Sequence, residues 1–368
     1  MPIRPKILVT SAAGKTGQHV VLQLLEKGYS VRAFVRQVDT RSDRLKAAGA
    51  EIFAGNLYAI SDMRRAMDGV HRAYHCAPTA PNGLQFGSAF SIAAYESKLE
   101  HVVMLGQWLS QPDHPSHFTR EVWMNEQILG LLPDTSLTTI NVGWFAENYL
   151  MVLEPAVQLG VLPMPLGDGD VKRDVGPSNE AIASVVVGAL IDPDTHAGQI
   201  YRPTGPKLLS PNDVAAAIGR VFERKVRYLN ISENMFLKAF AALRPPMYSE
   251  SNLTQLRIYS EEYRRGTFAL GGPTDVVQTV GGMAPESFED YVRRVAVNHP
   301  DAMRSFLNRA RALVNFAKII ITPAPNPAFI AKQKDFVQLA ASEFCLENAE
   351  WLGRYDTNPI RKTTTVKA

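Results

Sequence analysis

Short apolar runs alternate with segments of helical spacing along the first 150 residues. Ile7 to Val9 is an apolar run of the kind a buried strand leaves, and Val20, Val21, Leu24 and Leu25 then recur at helical spacing. Further strands are predicted at 30–36, 51–54, 70–76, 102–105 and 136–142, with helices at 42–48, 61–67, 85–98 and 121–132 between them. Six strands joined by crossover helices predict an α/β, doubly wound parallel sheet with helices on both faces. After residue 150 the pattern loosens at Pro155, Pro163, Pro165 and the Gly-Asp-Gly-Asp turn at 167–170. Helices follow at 179–191 and from Pro211, with Ser210 as N-cap. Strands follow at 199–201 and 225–229, and from 236 the chain reads as mainly helical. The expected division is an α/β domain over 1–150, a smaller lobe over 151–300 that lends strands back to the sheet, and a helical extension over 301–368. In that extension, 306–321 carries apolar residues at helical spacing with three basic residues on other faces, before a stop at Thr322-Pro323. Packing on the domain or on a dimer mate is favoured there over rest on a membrane surface. Trp351 is expected to anchor the tail, and 363–368 to be disordered.

The turn between the first strand and the first helix carries the main chemical signal. Its sequence is Thr10-Ser11-Ala12-Ala13-Gly14-Lys15-Thr16-Gly17, where a full G-x-x-G-x-x-G would place glycine at 11 as well. Small residues let a pyrophosphate approach the free N–H groups and positive dipole end of the helix, giving a Rossmann-like cofactor site. Thr10, Ser11, Ala13, Gly14, Lys15, Thr16 and Gly17 are expected to touch the phosphates. The second strand ends on Arg36, where an acid would bind a ribose 2′-hydroxyl and an arginine suits a 2′-phosphate. Arg36, aided by Arg41, therefore argues for NADP(H) over NAD(H). Ligands of such sheets lie beyond the carboxyl ends of the strands, which adds Asn56, Leu57, Ala77, Pro78, Thr79, Gln107 and Val142 along the cofactor.

Composition narrows the partners. The 368-residue chain carries a formal net charge of +3, too small and too dispersed to suggest nucleic acid or an anionic membrane. Cys76 and Cys345 are its only cysteines, which excludes a disulfide framework and suits a reducing compartment. No run of 18 apolar residues reads as a spanning segment, and the first strand begins too early for a signal peptide. The expectation is a soluble cytoplasmic protein, with a homodimer as one possible assembly.

Ile7-Leu-Val-Thr-Ser-Ala-Ala-Gly-Lys-Thr-Gly17, Val31-Arg-Ala-Phe-Val-Arg36, Gly49-Ala-Glu-Ile-Phe-Ala-Gly-Asn56-Leu, Met67-Asp-Gly-Val70 and Gly143-Trp-Phe-Ala-Glu-Asn148 together resemble the NmrA-like, atypical short-chain dehydrogenase/reductases. The resemblance covers about residues 5 to 235 and implies an NADP-binding domain with a small substrate region. The family includes reductases and also members that bind the cofactor without turning it over.

Standard short-chain dehydrogenases use Tyr-x-x-x-Lys, the tyrosine passing a proton to the carbonyl as hydride arrives. The resemblance places Phe118 and Val122 at those positions, and Gly106 and Gln107 where a serine usually stands. Remaining polar candidates are His114, His117, Glu121 and Tyr149, with His75, Cys76, Glu147 and Asn148 at strand ends. Glu126 is expected on the helix surface or as a salt-bridge partner. Asp113-His-Pro-Ser-His117 lacks a third ligand at any recognisable spacing, so no metal is expected. Trp108, Phe118, Val122, Trp123, Trp144 and Phe145 are the expected lining for a flat hydrophobic ligand. Two functions fit. One is a biosynthetic NADPH-dependent reductase, or a non-redox cyclising or condensing enzyme, acting on an aromatic or imine-type small molecule. Reduction of an iminium carbon needs no proton donor at that atom, so it tolerates loss of the dyad. The other is a non-enzymatic NADP(H)-sensing regulator that binds a protein partner.

Overall fold

Strand β1 (Ile7–Val9) shows in three residues how the first lobe is layered. Side chains alternate across a strand, so Ile7 and Val9 join the apolar cluster on one face while Leu8 joins the cluster on the other. The computed structural model describes residues 4–78, 82–174, 176–245 and 248–356. Thr79 and the tail at 363–368 lie outside them.

Helix α1 (Gly17–Glu26) leads to β2 (Val31–Val35), α2 (Thr40–Ala47), β3 (Glu51–Ala54), α3 (Ile60–Met67), β4 (Arg72–His75), α4 (Gly83–Glu96), β5 (His101–Gln107), α5 (His117–Gly130) and β6 (Ser136–Val142). A 3₁₀ turn (Ala146–Val152), α6 (Leu153–Leu159) and β7 (Val161–Met164) follow, then α7 (Asn179–Ile191), α8 (Pro193–His196), β8 (Ile200–Tyr201), α9 (Pro211–Val221) and β9 (Arg227–Asn230). The rest is helical: α10 (Glu233–Leu243), α11 (Glu250–Arg265), α12 (Val276–Thr279), α13 (Phe288–Ala296), α14 (Phe306–Ile321), α15 (Pro327–Gln333) and α16 (Ala349–Tyr355).

Seven strands pair in the order β3-β2-β1-β4-β5-β6-β8, all parallel. This is the predicted doubly wound sheet. Val20, Val21 and Leu24 of α1 and Ile182, Val185 and Val186 of α7 cover one face. Met63 and Met67 of α3, Phe86 and Phe90 of α4 and Leu129 of α5 cover the other. Helix α7 is apolar on nearly all sides because it lies between the sheet and α12, where Gly188 meets the Val280 carbonyl. The chain beyond 150 thus completes the first lobe with α7 and β8.

The second lobe gathers around a two-stranded parallel pair, β7–β9. Helix α6 and β7 did not stand out in the sequence because both contain proline. Pro155 lies in the first turn of α6, and Pro163 lies in a strand of a two-stranded sheet, the two settings in which proline costs little. Trp351 of α16 is buried in this lobe's core and donates from Nε1 to the Trp108 carbonyl at 3.2 Å, the anchoring expected of it. Among the described residues no helix is long and apolar enough to cross a membrane.

Candidate active site

The β1–α1 turn is drawn tight by hydrogen bonds into β4. Thr10 Oγ1 donates to the Tyr74 carbonyl at 2.8 Å and accepts from the Cys76 N–H at 2.9 Å, while Ser11 Oγ donates to the Cys76 carbonyl at 2.8 Å. Ser11 occupies the left-handed region at φ +50°, the conformation that a glycine at this place adopts freely. The missing first glycine is therefore replaced by a residue that accepts the strain and returns a hydrogen bond. A Cβ at Gly14 would come within 2.9 Å of the Ser11 carbonyl oxygen, and one at Gly17 would collide with the same atom. The N–H groups of Ala13, Lys15, Thr16 and Gly17 have no acceptor among the described residues. No acidic residue stands in the first turn of α1, so these donors face outward at the positive end of a helix. A pyrophosphate fits this cradle.

Side chains from the start of α7 and from the 3₁₀ turn after β6 brace it. Thr16 Oγ1 donates to Asn179 Oδ1 at 3.0 Å, Asn179 donates to Glu147 at 2.9 Å, and Lys15 pairs with Glu147 at 2.7 Å. Arg36 is exposed just past β2, and no hydrogen bond or ion pair engages it among the described residues. Arg41 is held instead by Asp39, with Nη2 2.6 Å from Oδ2, and that pair holds the Asp39 carboxyl down to about 2. Of the two arginines expected at the 2′-phosphate, Arg36 is therefore unengaged among the described residues and Arg41 is paired. Asn56 lies exposed after β3, its Oδ1 accepting from the Tyr58 N–H at 3.0 Å, and Leu57 is buried beside it. Ala77 and Pro78 follow β4 half-buried; Val142, at the end of β6, is buried. Gln107 ends β5 and accepts from Thr119 Oγ1 at 2.8 Å.

The expected proton-transfer residues, three near the head of α5 and Tyr149 in the 3₁₀ turn after β6, separate into two pairs. Tyr149 is fully buried, bonded to Asp174 at 3.0 Å and Tyr263 at 2.9 Å, and burial drives its phenol well above its ordinary range. His114 is fully buried as well. Its Nδ1 accepts from the Ser116 N–H at 3.1 Å and its Nε2 faces Glu262 at 3.0 Å, so the ring is the neutral Nε2–H form. Burial lowers its pKa. Burial opposes ionisation of Glu262, but hydrogen bonds from His114, the Cys345 N–H and Thr267 outweigh it and hold the carboxyl low. His114, Glu262 and Cys345 form the closest grouping of metal-ligand types among the described residues. The three are already joined by hydrogen bonds as a knot between the β5–α5 loop, α11 and the C-terminal extension. These two residues are core members, contrary to their expected place beside reacting atoms.

His117 and Glu121 lie nearer the surface. His117 is the first residue of α5, not a loop residue, because Ser116 caps the helix through the Thr119 N–H. Burial and Arg120 push it down to about 4, and Phe336 of the extension stacks on its ring at 3.8 Å. Beyond it a hollow of about 570 Å³ runs between α11 and α15, lined by Gln255, Glu261, Arg264 and Phe336 among others, and by no residue of the phosphate turn. Glu121 sits half-buried at the first turn of α4, where it accepts from the Gly83 N–H, and burial raises its carboxyl to about 7. Tyr58 lies near both Glu121 and Arg36, and burial raises its phenol above the ordinary range.

Phe118 is buried and Val122 packs on the core against α3 and α4, so no proton donor occupies the dyad positions. Trp108 and Trp144 belong to the second-lobe core. Trp108 donates to the Thr267 carbonyl at 2.8 Å, and the Arg202 guanidinium lies 3.9 Å over its ring. Only Val122, Trp123 and Phe145 of the expected aromatic and apolar lining are half-exposed. Glu126 is buried under Ser110, 3.2 Å away, not on the helix surface. His75 is sealed between Phe86 and Phe90 and pushed down to about 3 by burial.

A sheet of this order, a glycine-cradled helix N-terminus and a free arginine past β2 define a dinucleotide-binding α/β protein of the short-chain dehydrogenase/reductase type. The chain belongs to the NmrA-like family, which it matches over residues 4–268. It is 30% identical over 292 residues to an NAD(P)H azoreductase from Xenophilus azovorans, spanning 78% of this chain and 96% of that one. Its fold is shared with an NADPH-dependent quinone oxidoreductase from Escherichia coli solved with NADPH (TM-score 0.67, 19% identity, 78% and 99% of the two chains). It is shared equally with NmrA, a negative transcriptional regulator solved with NADP (TM-score 0.66, 18% identity, 80% and 95%).

Proposed function

We propose that this protein is an NADPH-dependent reductase of a flat, conjugated small molecule, working without the Tyr-x-x-x-Lys pair. The observation that carries the reading is the tight Ser11–Gly17 cradle with unengaged N–H donors, set beside an Arg36 that no acid neutralises. When bound, the nicotinamide supplies a hydride to the substrate. The chain's own residues bind and orient the cofactor: backbone donors of 13–17 take the pyrophosphate and Arg36 the 2′-phosphate. Azo compounds and quinones, named for the relatives above, are flat acceptors, and the half-exposed Trp123 and Phe145 suit such a surface. Where the accepting group needs a proton, Glu121 is the donor this reading favours. It lies one turn beyond the vacated tyrosine position, and its carboxyl at about 7 is protonated in part at neutral pH.

The test is loss of the near-ultraviolet absorbance of NADPH with azo, quinone and imine substrates. Turnover should fall as pH rises through about 7, because a donor acid acts in its protonated form. Glu121→Gln should remove that pH dependence and slow quinone or azo reduction on the order of 100-fold or more, sparing iminium reduction. Tight NADPH binding without consumption of any acceptor favours the second reading, an NADP(H)-sensing regulator, for which the apolar Phe118 and Val122 are the supporting observation.

A further inference from the structure

Helix α14 is turned inside out. Its polar side faces the protein: Arg311 reaches Glu154 at 2.8 Å and Asp301 at 2.6 Å, Asn315 reaches Glu154 at 2.8 Å, and Asn308 donates to the Pro300 and Met303 carbonyls. Ala312, on that same side, is the helix's one buried residue. The opposite side shows Phe306, Leu307, Leu313, Val314, Ile320 and Ile321 to solvent at 52–86% exposure. Ser305 caps the helix start through the Asn308 N–H, so the surface is preformed. Taking about 150–200 Å² for a large apolar side chain, these six offer roughly 700–800 Å², the per-partner share of a standard interface. Patches of this size mark interaction sites.

The order of residues along the stripe says what covers it. Counting outward from the midpoint between Leu313 and Val314, the stripe reads Leu313 and Val314, then Ala310 and Ala317, then Leu307 and Ile320, then Phe306 and Ile321. Size is mirrored about the centre: large, small, large, large. An isologous contact needs this property, because a two-fold axis sets each residue against its mirror position. We infer that α14 pairs antiparallel with α14 of a second copy of this chain. Leu313 then packs on the partner's Val314 at the axis, and Ala310 on the partner's Ala317, where two small residues let the helices come close. Arg311 stays with Glu154 and Asp301 and does not enter the seam. A lipid surface would call for no mirror symmetry about the helix midpoint, and the exposed Arg309 and Lys318 beside the stripe make vesicle binding the outcome to set against it.

Sedimentation equilibrium of the full chain tests this. The wild-type chain should have the mass of a dimer at micromolar concentration. Leu313→Asp, which sets two carboxylates against the apolar axis, should weaken association by roughly 100-fold or more. Cofactor affinity and circular dichroism serve as folding controls, and Val314→Glu is the second variant should Leu313→Asp not fold. Ala310→Cys combined with Ala317→Cys should give a disulfide-linked dimer under mild oxidation, since within one helix the two lie about 10 Å apart and cannot bridge. Ala310→Cys alone should not link. A wild-type monomer at all concentrations, a dimer that survives both charge variants, or a dimer in which the double-cysteine chain does not cross-link overturns the proposal. A monomer that sediments with anionic vesicles overturns it in favour of a lipid occupant. None of these outcomes depends on catalytic turnover.

Discussion

The phosphate turn and the head of α5 face the same sheet edge but are built on opposite principles. The turn over Ser11–Gly17 is local, made of small residues and backbone donors left unengaged. The head of α5 is assembled from distant segments through side-chain hydrogen bonds, with Gln111 Oε1 and His117 Nε2 left without a partner among the described residues: His114 meets Glu262 148 residues away, and Gln111 meets the Glu343 carbonyl 232 residues away. Unengaged donors suit a ligand that arrives and leaves. A network of long-range bonds suits a fixed wall, and His114, a catalytic candidate in sequence, is a buried part of it.

Substitutions that violate one principle or the other make the contrast measurable. Gly14→Asp should abolish NADPH binding by fluorescence titration, since its Cβ would crowd the Ser11 carbonyl and its carboxylate would occupy phosphate space, while the urea midpoint moves little by comparison. Glu262→Leu should do the reverse. It strands the His114 ring N–H, the Thr267 hydroxyl and the Cys345 N–H inside the core, at a cost of about 3–5 kcal/mol in unfolding free energy. Arg36→Ala should lose about 1.5–3 kcal/mol of NADPH affinity and leave NADH almost untouched; equal losses would show that Arg36 does not read the 2′-phosphate. The smallest effect belongs to Ser11→Gly. Relief at φ +50° offsets loss of the bond to the Cys76 carbonyl, so stability should shift by less than about 1 kcal/mol, whereas Ser11→Ala keeps the strain and loses the bond.

The same contrast sets what could be read from the chain. The six strands, the phosphate turn and Arg36 rest on spacing within 30 or so residues, and hydrophobic periodicity reports such spacing well. Trp351 was legible too, as a large aromatic stranded in a polar tail. The His114–Glu262–Cys345 knot was not, because its members lie in three elements and no period links them. For the same reason Tyr149 looked like a candidate acid and Glu126 like a surface residue, until α11 and the β5–α5 loop closed over them. The division at residue 150 describes the pattern of strands, but α7 and β8 cross it to complete the sheet's outer layer and edge.

That crossing has a consequence in time. Thr16 and Asn179, which meet at 3.0 Å, are separated by 163 residues of chain. Translation at about 5–20 residues per second leaves the turn made but unbraced for roughly 10–30 s. β6 (Ser136–Val142) is an open sheet edge for a shorter interval, roughly 3–12 s, until its outer neighbour β8 is made at residues 200–201. The nascent N-terminal lobe therefore passes through a window in which a seven-residue edge strand is unpaired, and the two-residue pairing at Thr139 and Ile140 is what closes it.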